Sequence, residues 1–258
     1  MTQPILKVLL LASMLVSFPA LSEKLNVAVA ANFKATLQAL KPAFEKQTGH
    51  HLNIISSGTG HLSNQIFNGA PFDVFLAANK KHPHAVFAKL KDQRQLTPIA
   101  LQPYALGRLA LLSAKPMDHQ PLAQLLSGPS FNKLALANAK LAPYGLAAQQ
   151  TLQHLKLKNK WQGKLIRGQN VAQVYQFVHT KNVDAGFVAY SMVKHLSSAQ
   201  FIEVPQDYHD PIEQLALRLN NKKISVDFMN FLFSEPAQNI ILKQGYQLPK
   251  PRFNKATH

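Results

Sequence analysis

The chain has 258 residues, 47% hydrophobic and 16% charged, with no cysteine and with 28 Lys and Arg against 12 Asp and Glu. This composition excludes a disordered chain, and the absence of cysteine excludes disulfides, thiol nucleophiles and thiolate metal sites, leaving packing alone to hold a fold of this size. The formal net charge of +16 draws in anions, but the densest basic patch, Lys156, Lys158, Lys160 and Lys164 around Trp161, lacks an aromatic-interleaved motif and reads as a solvated face, so no nucleic-acid partner is expected.

In chain order, Lys7 precedes an apolar run over residues 8–18 and then Ala20-Leu21-Ser22, a basic start, an apolar core and a small-x-small exit. This is the pattern of a secretory signal over residues 1–22, and the run is shorter than the ~20 residues of a spanning helix. The mature chain is expected to be exported.

Residues 27–31 form a short β-branched and alanine run that passes directly into Phe33, Leu37, Leu40 and Phe44 at helical spacing, with Asn32 at the junction as the expected N-cap. Such a strand-to-helix corner aims unpaired N–H groups at whatever lies beyond the strand, and can hold an anion without a counter-charge. Pro42 is expected to kink the helix and Thr48-Gly49 to stop it. A strand over 52–56 then meets Ser57-Gly58-Thr59-Gly60, a second corner, opening a helix to Phe67. After the turn Asn68-Gly69-Ala70-Pro71 come a buried strand over 72–78 and a helix over 83–90. Alternation of this kind predicts a mostly parallel sheet flanked by helices, with ligands beyond the carboxyl ends of the strands.

A lobe boundary is placed near Gln102, where Pro103-Tyr104-Ala105-Leu106-Gly107-Arg108 changes the texture. A second α/β set follows, with strands over 109–112, 134–137, 164–166 and 184–189. Two more helix-opening corners lie at Ala142-Pro143-Tyr144-Gly145 and Gln169-Asn170-Val171. The last third returns through residues 201–204 and the 207–211 loop to a strand over 215–219 and two helices, over 226–232 and 236–244. The expected division is lobe 1 over 23–102 plus 207–258 and lobe 2 over 103–206, so that the chain crosses twice.

Four stretches resemble the periplasmic molybdate-binding proteins of ABC-type uptake systems. They are Val29-Ala30-Ala31-Asn32-Phe33, Ser57-Gly58-Thr59-Gly60, the run from Asn68 through Gly-Ala-Pro-Phe-Asp-Val-Phe to Ala78, and Ser234-Glu235-Pro236-Ala237-Gln238 before Gly245-Tyr246. The resemblance implies a two-lobed α/β periplasmic binding protein of type II, a monomer that takes molybdate or tungstate between its lobes, needs no cofactor and passes the ion to a membrane permease. Carried over by position, Asn32 stands for the first-loop serine and Thr59 for the second-loop serine, while Tyr144 and Val171 stand for second-lobe residues that donate backbone N–H. The late tyrosine of the family is here Ala189, with Tyr190 following.

Neutral donors suit a fully ionised tetrahedral dianion, and the four loops hold no Asp or Glu to accept a proton from phosphate. Sulfate is the alternative anion. A metal-binding reading would rest on His50-His51 and His82-Pro83-His84, but adjacent histidines point apart on a strand and Pro83 fixes the other pair in a turn. No enzyme is expected, since Gly-x-Ser-x-Gly, His-Glu-x-x-His and the phosphate-loop lysine motif do not occur.

Overall fold

Apolar residues of strand β1 (Lys24–Ala30) are buried almost throughout, as expected of a strand covered by helices on both faces. The computed structural model describes residues 22–118 and 120–249. The signal expected over 1–22 therefore lies, apart from Ser22, outside the described residues. After β1 come α1 (Lys34–Thr48), β2 (His51–Ser57), α2 (Thr59–Phe67), β3 (Val74–Ala77), α3 (Lys81–Leu90) and β4 (Leu101–Gly107). The middle of the chain forms β5 (Leu109–Ser113), α4 (Leu122–Ser127), β6 (Leu134–Ala137), α5 (Pro143–His154), β7 (Leu165–Gly168), α6 (Val171–His179), β8 (Ala185–Ala189), α7 (Tyr190–Val193) and β9 (Phe201–Glu203). Finally β10 (Ile212–Arg218), α8 (Lys223–Leu232) and α9 (Glu235–Lys243) close the chain.

The strands make two five-stranded sheets, ordered β2-β1-β3-β10-β4 and β7-β6-β8-β5-β9. In each, four strands share a direction and one opposes them: β10 is antiparallel to β3 and β4, and β5 to β8 and β9. The opposed strand is in both cases the one by which the chain enters from the other lobe. The expected two-lobed, mostly parallel α/β architecture is thus borne out, and the carboxyl ends of β1, β2, β3, β6 and β7 are left free to build loops.

Two features differ from expectation. Residues 101–107 pair with β10 as the edge strand β4, so the crossover expected near Gln102 falls inside the first sheet and the chain changes sheet at Arg108. Pro103 concealed this strand, yet an edge strand tolerates the missing N–H. Helix α1 also continues through Pro42, held by buried Leu37, Leu40 and Phe44 on one face, and ends at Gly49, whose φ of 71° and N–H to Glu45 O close it.

Asp73, from the Gly-Ala-Pro-Phe-Asp-Val run, is 3% exposed and accepts from Asn26 N at 2.8 Å, Asn220 Nδ2 at 2.8 Å and Lys222 Nζ at 3.0 Å. The motif therefore staples β1 to the turn after β10. Of the basic patch, Lys156, Lys158 and Lys164 are exposed as expected, whereas Lys160 is half-buried and donates to Gly128 O at 2.9 Å, and Trp161 is fully buried. The apolar core of the second lobe extends to Ala30, Ala78 and Ile212 of the first. The lobes are in contact.

Candidate functional site

All four sequence-predicted positions, Asn32, Thr59, Tyr144 and Val171, line a single small pocket between the sheets. Ala30, Ala31, Gly58, Ala78, Ala142, Pro143 and Asn170 complete its wall. Each contributing segment follows the carboxyl end of β1, β2, β3, β6 or β7. None of these residues is Asp, Glu, Lys or Arg.

The donors at the pocket follow from an accounting of helix-opening N–H groups, which by position have no acceptor within their own helix. In α6, the Asn170 side chain accepts from Ala172 N at 3.0 Å and Gln173 N at 3.1 Å, which leaves the Val171 N–H as the uncapped one. In α5 the first residue is Pro143, which has no N–H, and Gly145 N and Leu146 N both bond Ala142 O, leaving that of Tyr144. In α2, Gly60 N donates to Leu141 O at 2.9 Å, a bond across the cleft, and the Thr59 N–H precedes it. In these three corners the donors named are spent elsewhere, and the residue left over lines the pocket.

The lobes are close at Gly60: a Cβ there would come 3.1 Å from Leu141 Cα and 3.2 Å from His82 Nε2, so its neighbours would have to give way. Burial lowers the His82 pKa, with Lys81 adding to the effect, so this imidazole beside the cleft is biased toward its neutral form. Thr59 is 1% exposed, and its Oγ1 accepts from Ala78 N at 3.1 Å. Having accepted there, the hydroxyl still has its proton to donate.

Asn32 departs from expectation. It is not the N-cap of α1: residues 31–33 form a 3-10 turn and Phe33 occupies the cap position. Its side-chain amide turns inward, Nδ2 donating to Gln214 Oε1 at 3.0 Å and Tyr246 Oη at 3.1 Å. The amide donors of the residue that stands for the first-loop serine are therefore engaged in the protein, and what Asn32 leaves at the wall is backbone.

Behind the wall lies a buried polar network that the sequence reading missed. Tyr104 Oη also donates to Gln214 Oε1 at 3.0 Å, Gln214 Nε2 donates to Tyr144 Oη at 3.4 Å, and Tyr246 Oη donates to Asn32 O at 2.8 Å. Ser191 Oγ adds a bond to Tyr246 Oη at 2.9 Å. Burial pushes the Tyr104 and Tyr144 phenols well above their usual range and that of Tyr246 to about 12, so all three stay neutral. The only local signal was Tyr246 in the late Gly-Tyr pair. Tyr190, by contrast, lies beneath the Arg108 guanidinium, 3.9 Å from ring centre to Cζ, and edge-on to Phe201. Arg108 Nε also donates to Glu203 Oε1 at 2.6 Å, tying the two crossovers together beside that ring.

Against known proteins, residues 25–247 match the model of a family described as bacterial extracellular solute-binding protein. The chain is 37% identical over 247 residues to the molybdate-binding protein ModA of Azotobacter vinelandii, covering 93% of this chain and 96% of that one. It is 34% identical over 233 residues to ModA of Rhodobacter capsulatus, covering 89% and 90%. Among solved structures, the Azotobacter vinelandii periplasmic molybdate-binding protein superposes with a TM-score of 0.79 at 34% identity, over 88% of this chain and all of the other. The resemblance read from the motifs is borne out over nearly the whole described chain, and the protein belongs to the bacterial extracellular solute-binding proteins, alongside the molybdate-binding proteins of Azotobacter and Rhodobacter.

Proposed function

We infer that this protein captures molybdate or tungstate between its lobes and hands it to the membrane permease of an ABC transporter, working as an exported, periplasmic monomer that transforms nothing chemically. The observation that carries this reading is the convergence of helix-opening corners from both lobes on one pocket whose lining residues include no carboxylate and no Lys or Arg. Asn32 and Thr59 reach it from one lobe, Tyr144 and Val171 from the other. A tetrahedral dianion offers four acceptor oxygens, so single N–H groups arriving from separate directions, with the Thr59 hydroxyl, satisfy it better than one cation would. Each charge-assisted bond contributes about 1.5–3 kcal/mol. A protonated phosphate brings a donor that finds no acceptor here, and so is disfavoured. The chain divides for this purpose into a first lobe carrying the β1–β4 and β10 sheet and a second carrying the β5–β9 sheet, joined at Arg108 and between Glu203 and Ile212.

The test is the rise in melting temperature with each anion. A ligand that binds only the folded state stabilises it by RT ln(1 + [L]/Kd), so the shifts rank affinities directly. Molybdate and tungstate are expected to raise the melting temperature well above equal concentrations of sulfate and phosphate. A larger shift with sulfate would overturn the molybdate assignment.

A further inference from the structure

Tyr144 has two ends with two different surroundings. Its backbone opens α5 at the pocket wall, on the second lobe. Its side chain runs the other way, out of its own lobe, and ends 2% exposed among residues of the first. There Gln214 of β10 donates to its hydroxyl, and Gly107, the last residue of β4, lies against the ring. A Cβ on Gly107 would stand 2.9 Å from Tyr144 Cζ and closer still to the hydroxyl, so the phenol fits only because position 107 has no side chain.

On this basis we propose that Gly107 and Gln214 form a socket on the first lobe, and that insertion of the Tyr144 phenol into it fastens the cleft shut around the oxyanion. The proposal rests on the oxyanion-capture reading above and adds positioning residues to it, since neither Gly107 nor Gln214 lines the pocket. The bond is made only when the lobes meet: Tyr144 travels with α5, and Gln214 is fixed from the other side by Asn32 and Tyr104. An interaction present in the closed state and absent from the open one shifts the balance between them, and apparent affinity follows the closed fraction. The socket also sets register. Asn32 and Tyr144, which bring corners from opposite lobes, both end on the one Gln214 amide, so that amide fixes how far apart the two corners stand when the cleft closes.

Calorimetry and stopped-flow binding of molybdate to the mature chain test this with Tyr144→Phe, Tyr144→Ala, Gly107→Ala and the Gly107→Ala/Tyr144→Ala pair. All keep the backbone N–H at 144. Loss of the hydroxyl alone is expected to weaken binding by about 2- to 10-fold, and the intruding methyl of Gly107→Ala by about tenfold or more. The losses should fall in the dissociation rate, with the unliganded melting temperature of Tyr144→Phe unchanged. In the Tyr144→Ala background, Gly107→Ala should cost little further, because there is no phenol left to exclude and the remaining close contact, 3.0 Å to Gln214 Nε2, is with the end of a side chain. Wild-type affinity in Tyr144→Phe and Tyr144→Ala, or fully additive losses in the pair, overturns the socket, and Tyr144→Phe decides alone if Gly107→Ala does not fold. A wild-type chain that binds no oxyanion overturns the functional reading and the socket with it; one that binds while every variant matches it overturns the socket only.

Discussion

Replacing Thr59 with Val removes a hydroxyl while keeping the shape of a side chain that is 1% exposed, so its effects separate cleanly into two. The hydroxyl accepts from Ala78 N at 3.1 Å. Without it a buried N–H is orphaned, which costs about 1–3 kcal/mol of stability in the unliganded protein. The second effect is on the anion. The hydroxyl proton is not used in the Ala78 bond, and if it is donated to a charged oxygen, its loss removes about 1.5–3 kcal/mol, or roughly 10- to 150-fold in affinity. Urea unfolding of the apo protein reads the first effect, and calorimetric titration with molybdate the second. Thr59→Ser should restore most of both. Lower apo stability with unchanged molybdate affinity would show that the hydroxyl serves only Ala78 N, and would remove it from the anion's shell.

Asn170→Ala deletes the side chain that caps α6 at Ala172 N and Gln173 N, and should lower unfolding free energy by about 0.5–2 kcal/mol in urea titration. It should also weaken molybdate binding, because the uncapped turn no longer holds the Val171 N–H in place; an unchanged Kd would separate the cap from the site. A third prediction concerns alkaline pH. Burial raises the Tyr246 phenol from 10.0 to about 12, so above pH 10 the unfolded chain releases this proton while the folded chain keeps it. Stability contributed by this group is therefore full below pH 10 and is lost as pH rises toward 12, by about 3 kcal/mol in total. Denaturation between pH 9 and 12 should show a shallower decline in Tyr246→Phe than in the wild type, and parallel declines would refute the assignment.

The corners were legible in the sequence because each is local. A β-branched run, a short loop of Gly, Thr, Asn or Pro, and an apolar residue at helical spacing declare a strand-to-helix junction within about a dozen residues. Their convergence followed from a rule of topology, that parallel strands present their carboxyl ends to one edge. What is built from long-range pairing left no such trace. Strand β4 was hidden by Pro103, which only an edge position excuses, and edge position is settled by β10, more than a hundred residues later.

The Asn32 side chain shows most clearly where a local reading stops. Asparagine after a strand and before a helix is a sound N-cap expectation, and at Asn170 the same residue type does cap its helix. At position 32 two buried acceptors, Gln214 Oε1 and Tyr246 Oη, compete for the amide. A buried amide must find partners, because leaving it unpaired in the interior costs more than the cap contributes. The amide therefore turns inward and the helix starts through a 3-10 turn instead. The two asparagines differ only in what lies behind them: Asn170 is half-buried at a rim, and Asn32, 3% exposed, backs onto residues drawn from the far end of the chain. The cleft wall at the Asn32 corner is consequently backbone braced by a side-chain network, an arrangement in which Gln214 and Tyr246 control a surface that neither of them touches.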